Sequence, residues 1–328
     1  MSTLQPPPSC ADPGADRTVV VVGPTASGKS GLAVALAERL IADGRPAEIV
    51  NADSMLVYRG MDIGTAKPSA DERQRVVHHL VDVLEVTETA TVAQFQTRAR
   101  DAITDCRARA VVPIVVGGSA LYIRAIVDDF VFPGTDPAVR ARWEAELAEV
   151  GSPALHERLA RVDPAAAAAI EPANGRRVVR ALEVIELSGQ PYPAQLPERR
   201  YLLPGVVQLG LRLERPVLDV RIEQRVAAMW AAGLVDEVAR LARHGLREGV
   251  TASRALGYRQ VLELLDGQVD ETEAQRRTVV ATRRFARRQL AWWRKDPRIA
   301  WVPFDAPDRL DEALSKIGRA GTGPGVAD

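Results

Sequence analysis

The sequence predicts an α/β fold in which a parallel β-sheet is flanked by helices and carries an all-helical insertion. Short runs rich in valine and isoleucine alternate with segments of helical periodicity, a pattern typical of a parallel sheet covered on both faces. A glycine-rich loop follows the first apolar run. From Ala138 to about Gly189 the pattern is helical and contains no strand, which indicates the insertion.

The elements follow in order along the chain. "RTVVVV" (17–22) is a continuous β-branched run, as expected for a buried central strand. "SGLAVALAERLIA" has helical periodicity, and the next strands are predicted in "AEIVN" and "LVDVLEV". "TVAQFQTRARDAITDCRARA" predicts an amphipathic helix that leads into a buried strand, "VVPIVVGG". Strand character returns in "GVVQLGLRL" (205–213), and the remainder is predicted to be mostly helical.

Length and composition limit the possible classes of protein. The chain has 328 residues, with 43 Lys+Arg and 43 Asp+Glu, so net charge alone indicates no nucleic-acid partner. Two cysteines are too few for a disulfide framework, which favours a cytoplasmic protein. No apolar run approaches the ~20 residues of a membrane span, so no membrane association is expected. The predicted division is a disordered tail (1–16), a catalytic core (17–135 and 203–328) and the helical insertion (136–202).

The glycine-rich loop fits the phosphate-binding pattern G-x-x-x-x-G-K-[ST]. It follows a strand and opens a helix, which is the context in which backbone amides and a helix N-terminus surround phosphate oxygens. The fold is therefore predicted to be P-loop NTPase-like. The pattern indicates a polyphosphate without identifying it, and Mg²⁺ is the expected cofactor, with the Ser30 hydroxyl as its ligand. The predicted phosphate-binding residues are Gly23, Thr25, Ala26, Ser27, Gly28, Lys29 and Ser30.

Two further side chains follow predicted strands on the same edge of the sheet. Asp53 comes after the second strand, and Ser119 comes after the strand that ends at Gly117. Ligands of open α/β sheets bind beyond the carboxyl ends of the strands. A carboxylate beside a bound phosphate can hold Mg²⁺ or accept a proton from a nucleophile. From position alone, a helix cap or a loop hydrogen bond remains open for Asp53.

Positive charge is concentrated near the end of the chain. Between Arg276 and Arg298 there are nine Lys/Arg residues and one acidic residue. Such a stripe suits a phosphate backbone, although a solvated helix face is an equally good explanation of the pattern by itself. Arg176 and Arg177 belong to a smaller basic cluster in the helical insertion.

Six segments in order resemble those of bacterial tRNA dimethylallyltransferases. They are "GPTASGKS", "VNADSMLVYRGMDIGTAKP", "HHLVDV", "VGGSALY", "RRVVRALEV" and "TRRFARRQLAWWR". The resemblance covers about residues 17–305. It implies transfer of a dimethylallyl group from dimethylallyl diphosphate to the exocyclic N6 amine of the adenosine 3′-adjacent to the anticodon, in tRNAs that read codons beginning with U. The partners it implies are that diphosphate and the tRNA anticodon stem-loop.

The resemblance also implies roles for individual residues. The phosphate loop would hold the donor diphosphate as a leaving group, with Arg221 as a further ligand. Asp53 would accept the proton of the adenine amine, and Ser119 would hydrogen-bond the base or the phosphates. The residues implied in tRNA binding are Ser54, Met55, Leu56, Thr65, Lys67, Arg176, Arg177, Arg283, Arg284 and Arg287. The helical insertion would contact tRNA as well.

This chain departs from the family pattern at three positions. Ser30 replaces the commoner threonine and keeps the hydroxyl group. "GGSALY" replaces "GGTGLY", which also keeps a hydroxyl group, at Ser119. Leu56 stands where the family usually carries glutamine, so an amide side chain is lost close to Asp53.

Two other functions stay open at this stage. A P-loop nucleoside or small-molecule kinase would bind ATP in the loop and use Asp53 as the base. A kinase function does not explain the helical insertion or the basic stripe. A non-catalytic RNA-binding protein would not need the intact Lys29-Ser30 pair. Neither reading demands an obligate protein partner, and a monomer is expected.

Overall fold

A computed structural model describes residues 17–193 and 197–319. The predicted tail at 1–16 lies outside the described residues. The strands are β1 (Thr18–Val22), β2 (Ala47–Asn51), β3 (His78–His79), β4 (Val112–Gly117), β5 (Val206–Arg212) and β6 (Ile299–Pro303). The helices are α1 (Lys29–Ala42), α2 (Ala70–Arg75), α3 (Val92–Ala108), α4 (Ala120–Val127), α5 (Pro137–Val162), α6 (Pro164–Ala169), α7 (Gly175–Ser188), α8 (Arg215–Ala231), α9 (Leu234–Ala242), α10 (Tyr258–Leu265), α11 (Glu271–Trp293) and α12 (Arg309–Arg319), with a 3₁₀ turn at Ala252–Arg254.

The six strands form one parallel sheet in the order β3-β2-β4-β1-β5-β6. The predicted parallel sheet flanked by helices is therefore confirmed. Because β1, β2 and β4 are parallel neighbours, the loops after them leave the sheet at one edge. This topology gathers the phosphate loop, Asp53 and Ser119 on that edge, as expected for open α/β sheets.

The apolar run of β1 is continuous because both of its faces are buried. Val20 and Val22 pack into a core that includes side chains of α3, α4, α9 and α10. Val19 and Val21 face the opposite layer, which contains side chains of α1, α8 and α12. A sheet covered on both faces favours valine and isoleucine at successive positions.

Two details of the sheet differ from the prediction. The predicted strand at "LVDVLEV" was wrong, since β3 lies just upstream and only one isolated bridge, Tyr58 to Leu84, falls within that segment. Leu80 and Asp82 have φ values of 62° and 57°, which a strand cannot accommodate. Strand β6 lies in a region predicted to be mostly helical, because its run is only five residues long and ends in Pro303.

The described residues divide into two compact units. The first unit contains the residues up to Asp128 and those from Tyr201 onward, and the second spans Asp129–Arg200. The second unit is all-helical, and its core packs Trp143, Leu155 and Val178 together. The sequence placed this insertion at 136–202. None of the helices in residues 17–193 and 197–319 combines the length and apolar character that a membrane crossing requires.

Candidate active site

The phosphate loop is held in a tight conformation between β1 and α1. Ala26 and Gly28 both have positive φ values, 61° and 90°, and Gly28 precedes the first residue of α1. A left-handed alanine costs about 1–2 kcal/mol, and such strain persists where the surrounding structure enforces it. A Cβ at Gly23 would lie 2.8 Å from Ser27 Oγ. The loop therefore favours a residue that tolerates positive φ at positions 26 and 28 and a residue without a Cβ at Gly23.

Arg221, on α8, anchors the loop from outside. Its Nε donates to the carbonyl oxygen of Ala26 at 2.8 Å. Its guanidinium group lies 4.3 Å from the ring centroid of Phe304, a distance suited to a cation–π contact. The predicted phosphate ligand Arg221 is thus brought to the loop, where it holds the backbone in place.

Lys29 is the half-buried cation of the loop. Burial lowers the pKa of its ammonium group to about 8, while the charge of Asp53 raises it and that of Arg225 lowers it. Burial also lowers the pKa of Arg225, an effect that Asp53 opposes. Three cations, Lys29, Arg221 and Arg225, therefore share this end of the sheet with the Asp53 and Glu72 carboxylates, which gives the site excess positive charge for an anion.

The backbone around Asp53 is fixed by Asn51. The Asn51 amide donates to the carbonyl oxygen of Asp53 at 2.9 Å and accepts the Asp53 N–H at 2.7 Å. Met55 N–H donates to Asp53 Oδ1 at 2.9 Å. Among the described residues, nothing donates to the other carboxylate oxygen. The Asp53 carboxylate is thus held in one orientation before any substrate binds, and its Oδ2 is available to accept a proton.

Asp53 lies on the wall common to two cavities. The first, of about 460 Å³, contains the phosphate loop, and the second, of about 350 Å³, lies on the side of α8, α10 and α11. The residues that line both are Thr25, Asp53, Thr65 and Arg225. A reacting group held in one cavity can therefore meet a group held in the other at the Asp53 carboxylate.

The predicted site residues divide between these cavities. Lys29, Ser30 and Arg221 line the first. Leu56 lines the first cavity as well, away from its predicted tRNA-binding neighbours Ser54 and Met55, which line the second. Ser119 also lines the second cavity and makes no capping hydrogen bond to α4. The family glutamine replaced by Leu56 would thus stand on the phosphate side of Asp53.

Gln289 joins the phosphate loop to the end of β4. Its buried side chain accepts the Thr25 N–H at 2.9 Å and donates to the carbonyl oxygen of Gly118 at 2.9 Å. Gln289 is not among the site residues predicted from the sequence. Its position on α11, away from the exposed Arg284, Arg287 and Arg288, would have indicated an inward-facing polar group.

Replacing Gly118 with alanine is expected to destabilise the protein by about 1–3 kcal/mol, because Gln289 would lose its two hydrogen bonds. A Cβ at Gly118 would lie 2.4 Å from Gln289 Nε2. Thermal denaturation measures the effect. Gly134→Ala is the matched control, since Gly134 lies outside the helices and nothing lies within 4 Å of a Cβ there. Unchanged melting of Gly118→Ala would contradict the bridging role of Gln289.

Lys67 is a structural cation in the loop after Asp53. Its side chain is 2% exposed and is paired with Asp62 and Asp82. Its ammonium group also donates to the carbonyl oxygen of Tyr58 at 2.8 Å. The prediction that Lys67 contacts tRNA conflicts with this burial. Thr65, predicted with it, lies where both cavities meet.

The predicted basic residues occupy three different settings. Arg283 is paired with Asp219 and Glu223 beside α8. Arg284 and Arg287 are exposed on α11, and Arg284 lines a separate hollow of about 370 Å³. The other basic residues of that hollow are Arg259, Arg276, Arg277 and Arg288. Arg176 and Arg177 are exposed at the start of α7, in the helical unit.

A cluster of Glu48, His79 and Cys106 lies apart from both cavities. His79 Nε2 is 2.6 Å from Glu48 Oε2, and Arg109 donates to both Glu48 oxygens at 2.8 Å. The Arg109 hydrogen bonds hold the pKa of Glu48 at about 2, against the effect of burial. Burial raises the pKa of Cys106 to about 12. The Glu48 carboxylate is ionised and its charge is balanced by Arg109, while the Cys106 thiol is protonated. The cluster therefore has a structural role, in which it connects β2, β3 and α3.

Three comparisons relate this chain to known proteins. A family model described as IPP transferase matches residues 56–296. The chain is 60% identical over 299 residues to a tRNA dimethylallyltransferase of Thermobifida fusca (strain YX), covering 91% of this chain and 93% of that protein. It is 62% identical over 297 residues to one of Kineococcus radiotolerans, covering 90% and 93%.

A solved structure agrees with these sequence relatives. The full-length tRNA isopentenylpyrophosphate transferase of Bacillus halodurans matches with a TM-score of 0.67 and 39% identity. The match covers 93% of this chain and 98% of that one. The similarity therefore extends over almost the whole of both chains.

Proposed function

This chain belongs to the tRNA dimethylallyltransferase family, and from that premise we propose how its two cavities carry out the transfer. The resemblance predicted from sequence is confirmed by the family model and the relatives. The proposed reaction moves the dimethylallyl group of dimethylallyl diphosphate to the N6 amine of the adenosine 3′-adjacent to the anticodon, in tRNAs that read codons beginning with U. The observation that carries the proposal is the position of Asp53 on the wall shared by both cavities.

The donor would occupy the first cavity. Its diphosphate would lie against the loop amides, Lys29 and Arg221, and its allylic carbon would face Asp53. Displacement at that carbon leaves negative charge on the departing diphosphate, which fixed positive groups stabilise. Leu56 and Val81 give part of this cavity an apolar wall, suited to the hydrocarbon end of the donor.

The residues of the first cavity fit a magnesium ion. The Ser30 hydroxyl and the Glu72 carboxylate line it, and these are the hard oxygen donors that Mg²⁺ prefers. We propose Mg²⁺ as the cofactor, with Ser30 as its ligand. When bound, Mg²⁺ supplies charge neutralisation at the leaving diphosphate.

The acceptor adenine would enter the second cavity. The base is stacked in RNA, so it must be extruded at a cost of a few kcal/mol. Apolar side chains such as Met229 and Phe285 line this cavity beside the Ser119 hydroxyl. Asp53 would accept the proton of the amine as its nitrogen attacks the allylic carbon, and the carbon–oxygen bond to diphosphate would break.

The exposed arginines would bind the RNA backbone around that entrance. Arg254 and Arg288 line the second cavity, and Arg284 lies on the same helix as Arg288. Positive side chains that neutralise phosphates provide affinity without reading sequence. In this proposal, the predicted tRNA contacts of Arg176 and Arg177 in the helical unit stay a prediction. Because the proposed substrate is tRNA, we propose that the enzyme is cytoplasmic and acts as a monomer.

To test the proposed transfer, purified protein is incubated with unmodified tRNA, labelled dimethylallyl diphosphate and Mg²⁺. A parallel reaction contains ATP and a set of nucleosides. Label in tRNA, with no phosphorylated nucleoside, is the expected result. Phosphorylated nucleoside without labelled tRNA would establish the kinase alternative, and a tRNA gel shift without either product would establish an RNA-binding protein.

The lowered pKa of Lys29 makes donor binding depend on pH. The ammonium form attracts the diphosphate, so affinity is expected to be constant between about pH 7, where the donor is fully ionised, and the Lys29 pKa of about 8, and to weaken above it. The limiting slope is about tenfold per pH unit. Calorimetric titration with dimethylallyl diphosphate at fixed Mg²⁺ measures it. Lys29→Arg, which stays charged, should show a flat profile, and a flat wild-type profile would contradict the assigned role of Lys29.

A further inference from the structure

A buried carboxylate outside both cavities holds the loop that contributes to each of them. Glu237, on α9, is 6% exposed. Its oxygens accept the N–H groups of three consecutive loop residues: Asp62 at 3.0 Å, Ile63 at 2.9 Å and Gly64 at 3.3 Å. The Tyr258 hydroxyl donates to the same carboxylate at 2.6 Å. Four donors on one buried carboxylate form a strong and directional anchor.

The anchored loop leads directly to the reacting centre. Thr65 follows Gly64 and lines both cavities. Its carbonyl oxygen accepts a hydrogen bond from Arg225 at 3.3 Å, and Arg225 lines both cavities with Asp53. The loop position therefore fixes part of the wall at which donor and acceptor would meet.

Tyr258 fixes the same loop by packing. A Cβ at Gly64 would lie 2.4 Å from Cε2 of the Tyr258 ring, so the glycine lets the loop lie directly on the ring. The ring also lines the second cavity. Glu237 thus joins three elements: α9, the first residue of α10 and the loop after Asp53.

We propose that Glu237 is a positioning residue for the transfer step, acting through the Asp62–Thr65 backbone. The proposal rests on the proposed function. Glu237 lines neither cavity, so it acts through the loop and has no contact with either substrate. Glutamine at this position would keep the volume but replace one acceptor oxygen with an NH₂ group that faces backbone donors.

The test compares Glu237→Gln with the wild-type protein in three measurements. These are the single-turnover rate at saturating tRNA and donor, the Kd of dimethylallyl diphosphate, and the melting temperature. Small displacements of a reacting centre reduce rates by about 10- to 100-fold, and we expect a loss in that range. Donor affinity should stay within about threefold, because the phosphate loop is held separately.

Asp128→Asn is the matched control. Asp128 is fully buried and is paired with Arg124 and Arg298, but it lines neither cavity. The control should lose stability while its saturated rate is unchanged, which separates a positioning role from general destabilisation. A saturated rate of Glu237→Gln close to wild type would overturn the proposal, as would an equal rate loss in Asp128→Asn.

Tyr258→Phe keeps the proposal testable if Glu237→Gln does not fold. It removes one of the four donors and leaves the ring in place, so a smaller rate loss with unchanged donor affinity is expected. An unchanged rate would overturn the proposal. Absence of transfer by the wild-type protein would instead refute the proposed function, so the two failures are distinguishable.

Discussion

Replacing Asp53 with asparagine is expected to lower the single-turnover rate of prenyl transfer by about 10²- to 10⁴-fold, the usual contribution of general acid–base catalysis. The adenine amine is a weak nucleophile because its lone pair is delocalised into the ring. Asparagine cannot accept its proton, yet its oxygen can still accept the Met55 N–H that orients Asp53. The loss should therefore be chemical and leave the local fold intact.

Donor affinity separates the two possible uses of the Asp53 carboxylate. If Asp53 is a proton acceptor, the Kd of dimethylallyl diphosphate in Asp53→Asn should stay within about threefold of the wild-type value, because the carboxylate acts only in the transition state. A fall in donor affinity as large as the fall in rate would show that Asp53 holds the metal instead. Asp43→Asn is the control, because Asp43 is an exposed partner of Arg39 at the far end of α1.

Replacing Lys29 with methionine is expected to lower the transfer rate by about 10²- to 10³-fold, the range seen when one preorganised stabiliser of developing charge is removed. Unlike Asp53→Asn, this change should also weaken donor binding, because the diphosphate carries charge before and after the bond breaks. Methionine keeps most of the side-chain volume, so the cavity should retain its shape.

The control for this charge is Lys316→Met. Lys316 is partly exposed on α12 and is paired with Glu312, so its removal should leave rate and affinity unchanged. Rate measurements at saturating donor and titrations of donor binding give both quantities. Wild-type donor affinity in Lys29→Met would contradict the placement of the diphosphate at the phosphate loop.

Strands β1 and β4 and the phosphate loop could be predicted from the sequence because short stretches of residues determine them. The valine runs of β1 and β4 and the glycine-lysine loop each encode their structure within a few residues. The segment after His79 was misassigned because its apolar pattern resembles a strand, whereas positive φ values at Leu80 and Asp82 turn the chain away. Such backbone conformations are set by packing and leave no periodic signal.

Long-range contacts account for the site residues that the sequence analysis missed. Gln289 reaches Gly118 across 171 positions, and Glu237 reaches Asp62 across 175. Both are polar residues on amphipathic helices. The helical pattern can indicate that such a side chain faces inward, as for Gln289, but it does not identify the distant residue that the side chain contacts. Lys67 shows the opposite case, since a lysine in a polar loop looks exposed until Asp62 and Asp82 are placed around it.

The position of the label in product RNA tests the central claim most directly. After reaction with labelled dimethylallyl diphosphate, one portion of the tRNA is digested to oligonucleotides, in which mass spectrometry locates the labelled residue, and another portion is digested to nucleosides, which mass spectrometry identifies. We expect one labelled nucleoside, the adenosine 3′ of the anticodon with the group on N6, and one diphosphate released for each group transferred. Label on a ribose, on a phosphate or on another base would contradict the assignment of Asp53 as the acceptor of the amine proton.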